Sequence, residues 1–377
     1  MQTRRVFLKR GIAASGATLF AGTAGGSLAG SAKVGSKGNS DGNEIEWIMP
    51  DEGERHAATW MAFGAPEALW GRRLQRAARE SLTRIAKSIG SFEPVNMLVG
   101  EKDYDDAQRM CGSAANLIVQ PIDDLWIRDT GPVFVRSRNG EKAGVDFNFN
   151  GWGAKQAHRD DAMVARFVVR NVGERLLNTP LVLEGGAIEV DGEGTAIITE
   201  SCVLNRNRNP GVSKSACETE LKRLLGVRKI IWLPGIAGKD ITDGHTDFYA
   251  RFVRPGVVVA HLENDTASYD HAVTVRHLEI LRQATDATGR KLQVVVLPGP
   301  NHVRSAYASE TFAAGYINFY VCNGAVISPQ FGDTQTDKST RDKLRDLFPK
   351  HEIVQLNIDG IASGGGGIHC TTQQQPV

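Results

Sequence analysis

From Glu44 onward the chain alternates short apolar runs with amphipathic stretches, a pattern that predicts short strands alternating with helices. Residues 60–63 read as a strand. Over residues 72–88, Leu74, Ala77, Ala78, Leu82 and Ile85 share one helical face. Residues 95–99 read as a strand and 103–111 as a helix, and the strand over 117–119 stops at Gln120-Pro121. The same order then recurs. A helix over 160–176 is followed by Pro180, read as opening a strand over 181–183. Helices over 213–225, 269–285 and 338–347 lead to strands over 230–233, 294–297 and 353–356. Further short strands are predicted near 133–135, 145–149, 187–190, 195–199, 248–252, 257–260, 317–320 and 325–327.

With Pro121, Pro180, Pro234, Pro298 and Asn357 as markers, the spacings are 59, 54, 64 and 59 residues. Near-constant spacing is the signature of a repeat, here five units of ββαβ type. Five such units can close into a five-bladed α/β propeller, which removes exposed sheet edges. An open α/β sheet with helices on both faces would also alternate strands and helices.

Composition narrows the class. The chain has 377 residues, 41% hydrophobic and 23% charged, as in ordinary globular proteins. A formal net charge of +1 gives no reason to expect nucleic acid or an anionic membrane as partner. The five cysteines, Cys111, Cys202, Cys217, Cys322 and Cys370, lack metal-ligand spacing, so no metal is expected. At the N-terminus, Thr3-Arg4-Arg5-Val6-Phe7-Leu8-Lys9 resembles a twin-arginine export motif, followed by a short apolar stretch and small residues. Residues 1–32 are therefore expected to be a signal peptide, 33–43 a Gly/Ser-rich linker and 44–377 a single domain. Export to the periplasm or beyond follows, with no membrane contact past the signal.

The residues after each marker carry the chemistry. They include Asp124 and Trp126-Ile-Arg-Asp129, then Glu184-Gly-Gly, then Gly244-His245-Thr-Asp247, then Asn318, and lastly four glycines before Cys370. If the units are related by rotation, these positions meet in one pocket. A thiol, a histidine and carboxylates without metal spacing point to nucleophilic catalysis. Two carboxylates on one small site suit a cationic, planar, donor-only group such as guanidinium. Trp126 could stack on it. Taken singly, each residue has an ordinary reading. Asp129 could cap a turn, Glu184 could be a loop acid, His245 a structural histidine, Trp126 core, and Asn318 a backbone partner. Cys370 could be a thiol in a frayed tail.

The stretches Trp126-Ile-Arg-Asp-Thr-Gly-Pro132, Glu184-Gly-Gly, Asn205-Arg-Asn-Arg-Asn-Pro210, Gly244-His-Thr-Asp247, Asn318-Phe, Pro329-Gln-Phe-Gly-Asp333 and Gly365-Gly-Gly-Ile-His-Cys-Thr-Thr-Gln-Gln374 resemble the agmatine deiminase and bacterial-type peptidylarginine deiminase family. The resemblance covers the chain from about Glu44 to its end. It implies the pentein fold, a five-bladed α/β propeller, and cofactor-free conversion of a guanidino to a ureido group with release of ammonia. It further implies Cys370 as nucleophile, His245 as general acid/base, Asp129 and Asp247 as guanidinium ligands, Glu184 as the partner of His245, and Trp126 and Asn318 as substrate contacts. Phe248 and Phe63-Gly64 depart from the family pattern. The expected substrate is agmatine, with peptidyl-arginine as the alternative. A guanidine-binding protein without turnover is a further possibility. A metal-dependent hydrolase would need clustered Asp/His ligands, which the spacing does not offer.

Overall fold

The structure is a computed structural model that describes residues 46–377. The predicted signal peptide and linker lie outside the described residues. In chain order the strands are β1 (Trp47–Ile48), β2 (His56–Ala62), β3 (Val95–Val99), β4 (Asn116–Val119), β5 (Val133–Ser137), β6 (Lys142–Asp146), β7 (Arg175–Asn178), β8 (Ile188–Val190) and β9 (Thr195–Thr199). They continue as β10 (Lys229–Leu233), β11 (Ala250–Arg254), β12 (Val257–Leu262), β13 (Gln293–Pro298), β14 (Tyr320–Cys322), β15 (Ala325–Gln330), β16 (Glu352–Asn357) and β17 (Gln373–Pro376).

These strands form five small sheets, ordered β17-β2-β3-β4, β1-β5-β6-β7, β10-β9-β8, β11-β12-β13 and β14-β15-β16. Each contains an antiparallel pair, namely β17/β2, β5/β6, β8/β9, β11/β12 and β14/β15, and β1 adds a second one by pairing with β5. Each also contains a parallel pair joined in the same way, namely β2/β3, β6/β7, β9/β10, β12/β13 and β15/β16, and β4 adds a second one by pairing with β3. Parallel neighbours need a crossover, and a helix lies in each of these five connections. The architecture is thus α/β, built from a repeated ββαβ element. One element is assembled from both ends of the chain: Gln373 sits opposite Trp60 and Gln374 opposite Thr59.

The helices start and stop for local reasons. Pro66 precedes the helix Glu67–Ile89, whose residues Ala78, Leu82, Ile85, Ala86 and Ile89 are buried as one stripe. Gly71, at φ +70, kinks it after one turn. Ser213 Oγ accepts from Ala216 N at the start of Lys214–Leu225, and Gly226 closes that helix in the left-handed region. Asp333 caps Thr334–Leu347 through Thr336 N. Among the described residues no helix is long and apolar enough to cross a membrane.

Several expectations are corrected. The helix expected over 160–176 is a 3-10 turn at Asp161–Met163 followed by Val164–Asn171. Gly173, at φ +73, ends it, and Leu176 already belongs to β7. The strand therefore precedes Pro180 rather than following it, and residues 181–183 are irregular. Proline has no N–H to donate to a ladder, so it terminates the pairing. β6 stops at Asp146 because Asn148 turns left-handed at φ 53, and the strand expected at 317–320 begins only at Tyr320. Pro121 follows β4, a strand added beyond β3, so the first marker is out of phase with the other four.

Candidate active site

The candidate residues sit on the connections between one sheet and the next, most of them on a single helical turn just before a strand. Asp129 lies on Ile127–Thr130 before β5. Glu184 precedes the turn Gly185–Ala187, closed by Ala187 N donating to Glu184 O over 3.0 Å. His245 precedes, and Asp247 lies on, the turn Thr246–Phe248. Asn318 falls between β13 and β14, and Cys370 lies on His369–Thr371 before β17. A one-turn helix ending in a strand fixes the backbone on both sides of the side chain, and all six residues are buried.

Two groups of contacts result. The thiol of Cys370 is 3.5 Å from Asp247 Oδ2 and 3.5 Å from Asn318 Oδ1, and Cys370 N donates to that same Asn318 oxygen over 3.3 Å. His245 Nδ1 stands 3.7 Å from Asp129 Oδ1, and His245 Nε2 stands 3.3 Å from Glu184 Oε2. Gly186 joins the groups. Its N–H donates to Asp129 Oδ1 over 3.1 Å. A β-carbon added there would lie 2.7 Å from His245 Nδ1, 2.8 Å from Asp129 Oδ1 and 3.3 Å from Asp247 Oδ2. The imidazole and both carboxylates therefore border one small space.

The field in that space is set by burial and by charge. Burial raises Asp129 to about 6, with His245 opposing the rise. Burial also works against charge on His245, yet Asp129, Cys202 and Glu184 together raise it well above its ordinary value. Glu184 is lowered despite its burial, because the guanidinium of Arg208 and His245 face it. An ionised Glu184 thus backs a protonated His245, whose Nδ1 edge faces Asp129.

The glycine run has a steric cause. A β-carbon at Gly364 would lie 2.0 Å from the Trp70 ring, one at Gly366 would lie 2.1 Å from the Trp126 ring, and one at Gly367 would lie 2.3 Å from Asn318 Oδ1. Trp70 and Trp126 stack with centroids 5.9 Å apart at 29°. Both indole N–H groups donate to Asp124, over 2.9 and 3.1 Å. Trp126 thus forms a wall beside the loop that carries Cys370, with its N–H already engaged.

Several supporting residues were not singled out from the sequence. Trp152 Nε1 donates to Asp129 Oδ2 over 2.9 Å, with Trp152 itself left-handed at φ 55. The sequence signal was the Gly-Trp-Gly setting of residues 151–153. His369 sits between Asp247 Oδ2 and Glu52 Oε2, each 2.9 Å from a ring nitrogen. Arg208 Nε bonds both Glu184 oxygens, at 2.8 and 3.0 Å. Arg208 and His369 lie within the motif stretches, but nothing in the sequence states their partners. Cys202, whose Sγ is 3.5 Å from Glu184 Oε2, carried no signal.

The chain is similar to known proteins over nearly all of its described length. A profile of the Porphyromonas-type peptidyl-arginine deiminase family matches residues 48–376. A Streptomyces coelicolor protein provisionally named an agmatine deiminase is 42% identical over 335 residues, covering 87% of this chain and 98% of the relative. The agmatine deiminase of Stutzerimonas stutzeri is 38% identical over 354 residues, covering 88% and 96%. The solved structure of the Enterococcus faecalis agmatine deiminase superposes with a TM-score of 0.81 at 33% identity, covering 88% of this chain and 96% of that one.

Proposed function

This chain belongs to the Porphyromonas-type peptidyl-arginine deiminase family, and from that premise we propose that it hydrolyses agmatine to N-carbamoylputrescine and ammonia through a thiouronium on Cys370. The observation that carries this is the Cys370 thiol 3.5 Å from Asp247, with Asp247, Asp129 and His245 bordering one space beside Gly186. Relatives at 38% and 42% identity bear the agmatine deiminase name.

The roles follow from what the reaction needs. Asp129 and Asp247 hold the guanidinium by charge-assisted hydrogen bonds. The thiol proton of Cys370 leaves to solvent as the cationic substrate binds, and the thiolate attacks the guanidinium carbon, forming a C–S bond at the cost of guanidinium resonance. The adduct is neutral until a nitrogen is protonated, and the two carboxylates stabilise the cation that this protonation creates. Protonated His245 gives its Nδ1 proton to the departing nitrogen, and the C–N bond breaks with loss of ammonia. The neutral imidazole next takes a proton from water, which attacks the S-alkylthiouronium carbon. The C–S bond breaks, and the ureido product leaves. Glu184 keeps His245 oriented and charged. Asn318 holds the Cys370 backbone, and Trp126 lines the path of the substrate's alkyl chain.

We read the five sheets as five blades round an axis, closed by the pairing of β17 with β2. Residues 44–377 are then one closed domain, and the twin-arginine motif at Arg4-Arg5 would export it.

Peptidyl-arginine is the second reading, favoured by the family's description. The enclosure of Cys370, 5% exposed under the glycine loop, favours a small free guanidine. Purified protein is incubated with agmatine, arginine and a peptide ending in arginine, and ammonia and ureido product are measured. Turnover of agmatine above the other two is expected. Turnover of the peptide with agmatine inert selects the second reading. Binding of agmatine with no ammonia from any substrate retires both.

A further inference from the structure

The nitrogen of His245 that faces away from Asp129 does not look onto featureless core. His245 Nε2 is 3.3 Å from Glu184 Oε2, and Cys202 Sγ is 3.5 Å from that same oxygen. The three side chains come from separate connections: the turn after β7, the short helix Glu200–Val203 after β9, and the turn before β11. One ligand atom from each lies within 4.8 Å of the other two, and all three residues are buried. We propose that Cys202, His245 and Glu184 form a site for a thiophilic divalent cation, Zn2+ or Co2+, whose binding switches the enzyme off.

The separations suit the ion. In tetrahedral zinc sites the metal lies about 2.3 Å from sulfur and about 2.0–2.2 Å from nitrogen and oxygen. Those bond lengths put the N···O edge at about 3.4 Å and the S···O edge at about 3.6 Å. The spacings in this protein are 3.3 and 3.5 Å. Thiolate, imidazole and carboxylate are each ligands that zinc takes.

The charge balance also allows it. Without metal, the Cys202 thiol proton and the His245 Nε2 proton both point at Glu184 Oε2. Metal binding forms an S–metal and an N–metal bond, and both protons leave to solvent. A dication replaces two protons, so the net charge beside Arg208 is unchanged. Arg208 stays occupied by both Glu184 oxygens, by Asp243 Oδ2 over 2.8 Å and by Thr242 O over 3.0 Å. The sequence concealed the site because its ligands are 18 and 43 residues apart along the chain.

Inhibition follows from which nitrogen is taken. With Nε2 on the metal, His245 keeps only its Nδ1 proton, and the imidazolium that would donate to departing ammonia no longer forms. This consequence rests on the proposed deiminase role of His245, whereas the binding itself does not.

The test uses the purified full chain, freed of metal, in a non-thiol reductant. Co2+ is titrated while the near-ultraviolet thiolate-to-cobalt charge-transfer band is recorded. The wild type and Cys370→Ala should both show the band, and Cys370→Ala combined with Cys202→Ala should lose it. The Zn2+ concentration that halves agmatine turnover should rise at least ~10-fold in Cys202→Ser, since even outer ligand partners are worth 10–100-fold in affinity. Absence of the band from the wild type overturns the proposal, and so does its loss in Cys370→Ala alone, which would assign the metal to the nucleophile. Unshifted zinc inhibition in Cys202→Ser overturns the inhibitory role. A cobalt band in a protein inert toward every guanidine would leave this site standing and retire the deiminase reading.

Discussion

Gly186→Ala places one methyl group in the space assigned to the guanidinium. The backbone at Gly186 is not in the left-handed region, so alanine adds bulk without backbone strain. Its β-carbon would lie 2.7 Å from His245 Nδ1 and 2.8 Å from Asp129 Oδ1, against about 3.4 Å for an ordinary contact. Each group must retreat by roughly 0.6 Å, and both are buried and held from behind, His245 by Glu184 and Asp129 by Trp152. Overpacking of this size costs about 1–3 kcal/mol of stability. The effect on catalysis is larger, because a misplacement of ~1 Å costs about 10²-fold. The methyl also occupies volume that the substrate needs. We expect kcat/KM for agmatine to fall at least ~100-fold, about 2.7 kcal/mol of transition-state stabilisation, with the fold intact by circular dichroism. Gly100→Ala is the control, since a β-carbon there meets nothing within 4 Å. Activity of Gly186→Ala within ~3-fold of wild type would refute the placement of the substrate among these groups.

Three further outcomes follow from the electrostatics. Asp129 is raised to about 6, so its carboxylate is lost as pH falls through that value, and kcat/KM for a cationic substrate should fall about tenfold per pH unit below it; a profile flat down to about pH 4 would contradict this. A carboxyl whose folded pKa is raised gives stability that is present below its unfolded value and lost as pH rises through the folded one. The melting temperature of Asp129→Asn should therefore gain on wild type between about pH 4 and pH 7, by an effect on the order of 3 kcal/mol, and the opposite sign in thermal melts would sink it. Arg208→Leu leaves Glu184 buried without its guanidinium, the side chains of both being 0% exposed. Breaking such a pair should cost about 3–5 kcal/mol in urea unfolding, and a loss below ~1 kcal/mol would show the pair to be dispensable.

Legibility in the sequence varied with the range of the forces involved. The helix Glu67–Ile89 declared itself through its apolar stripe, because periodicity is local. β7 was misplaced because Pro180 marks a strand's edge without saying which side the strand is on. β17 could not be read at all. Its residues, Gln373-Gln-Gln-Pro376, have no apolar alternation and become a strand only by pairing with β2 at the other end of the chain. The candidate site was legible where it needed special backbone or reactive atoms, as at Cys370 behind its glycines and at His245-Thr-Asp247. Its supports were not. Arg208, Trp152, His369 and Cys202 matter only through partners distant along the chain, from Cys202 with Glu184 to His369 with Glu52, and such pairings leave no periodic trace.

The claim that bears most weight is that the sulfur of Cys370 becomes bonded to the guanidino carbon. Agmatine is mixed with enzyme, quenched in acid during turnover, and the protein is digested and weighed by mass spectrometry. The account predicts a peptide containing Cys370 heavier by agmatine less ammonia, absent from Cys370→Ala and longer-lived in His245→Ala. Turnover of agmatine by Cys370→Ala at the wild-type rate, with no adduct on Cys370 in the wild type, would contradict it.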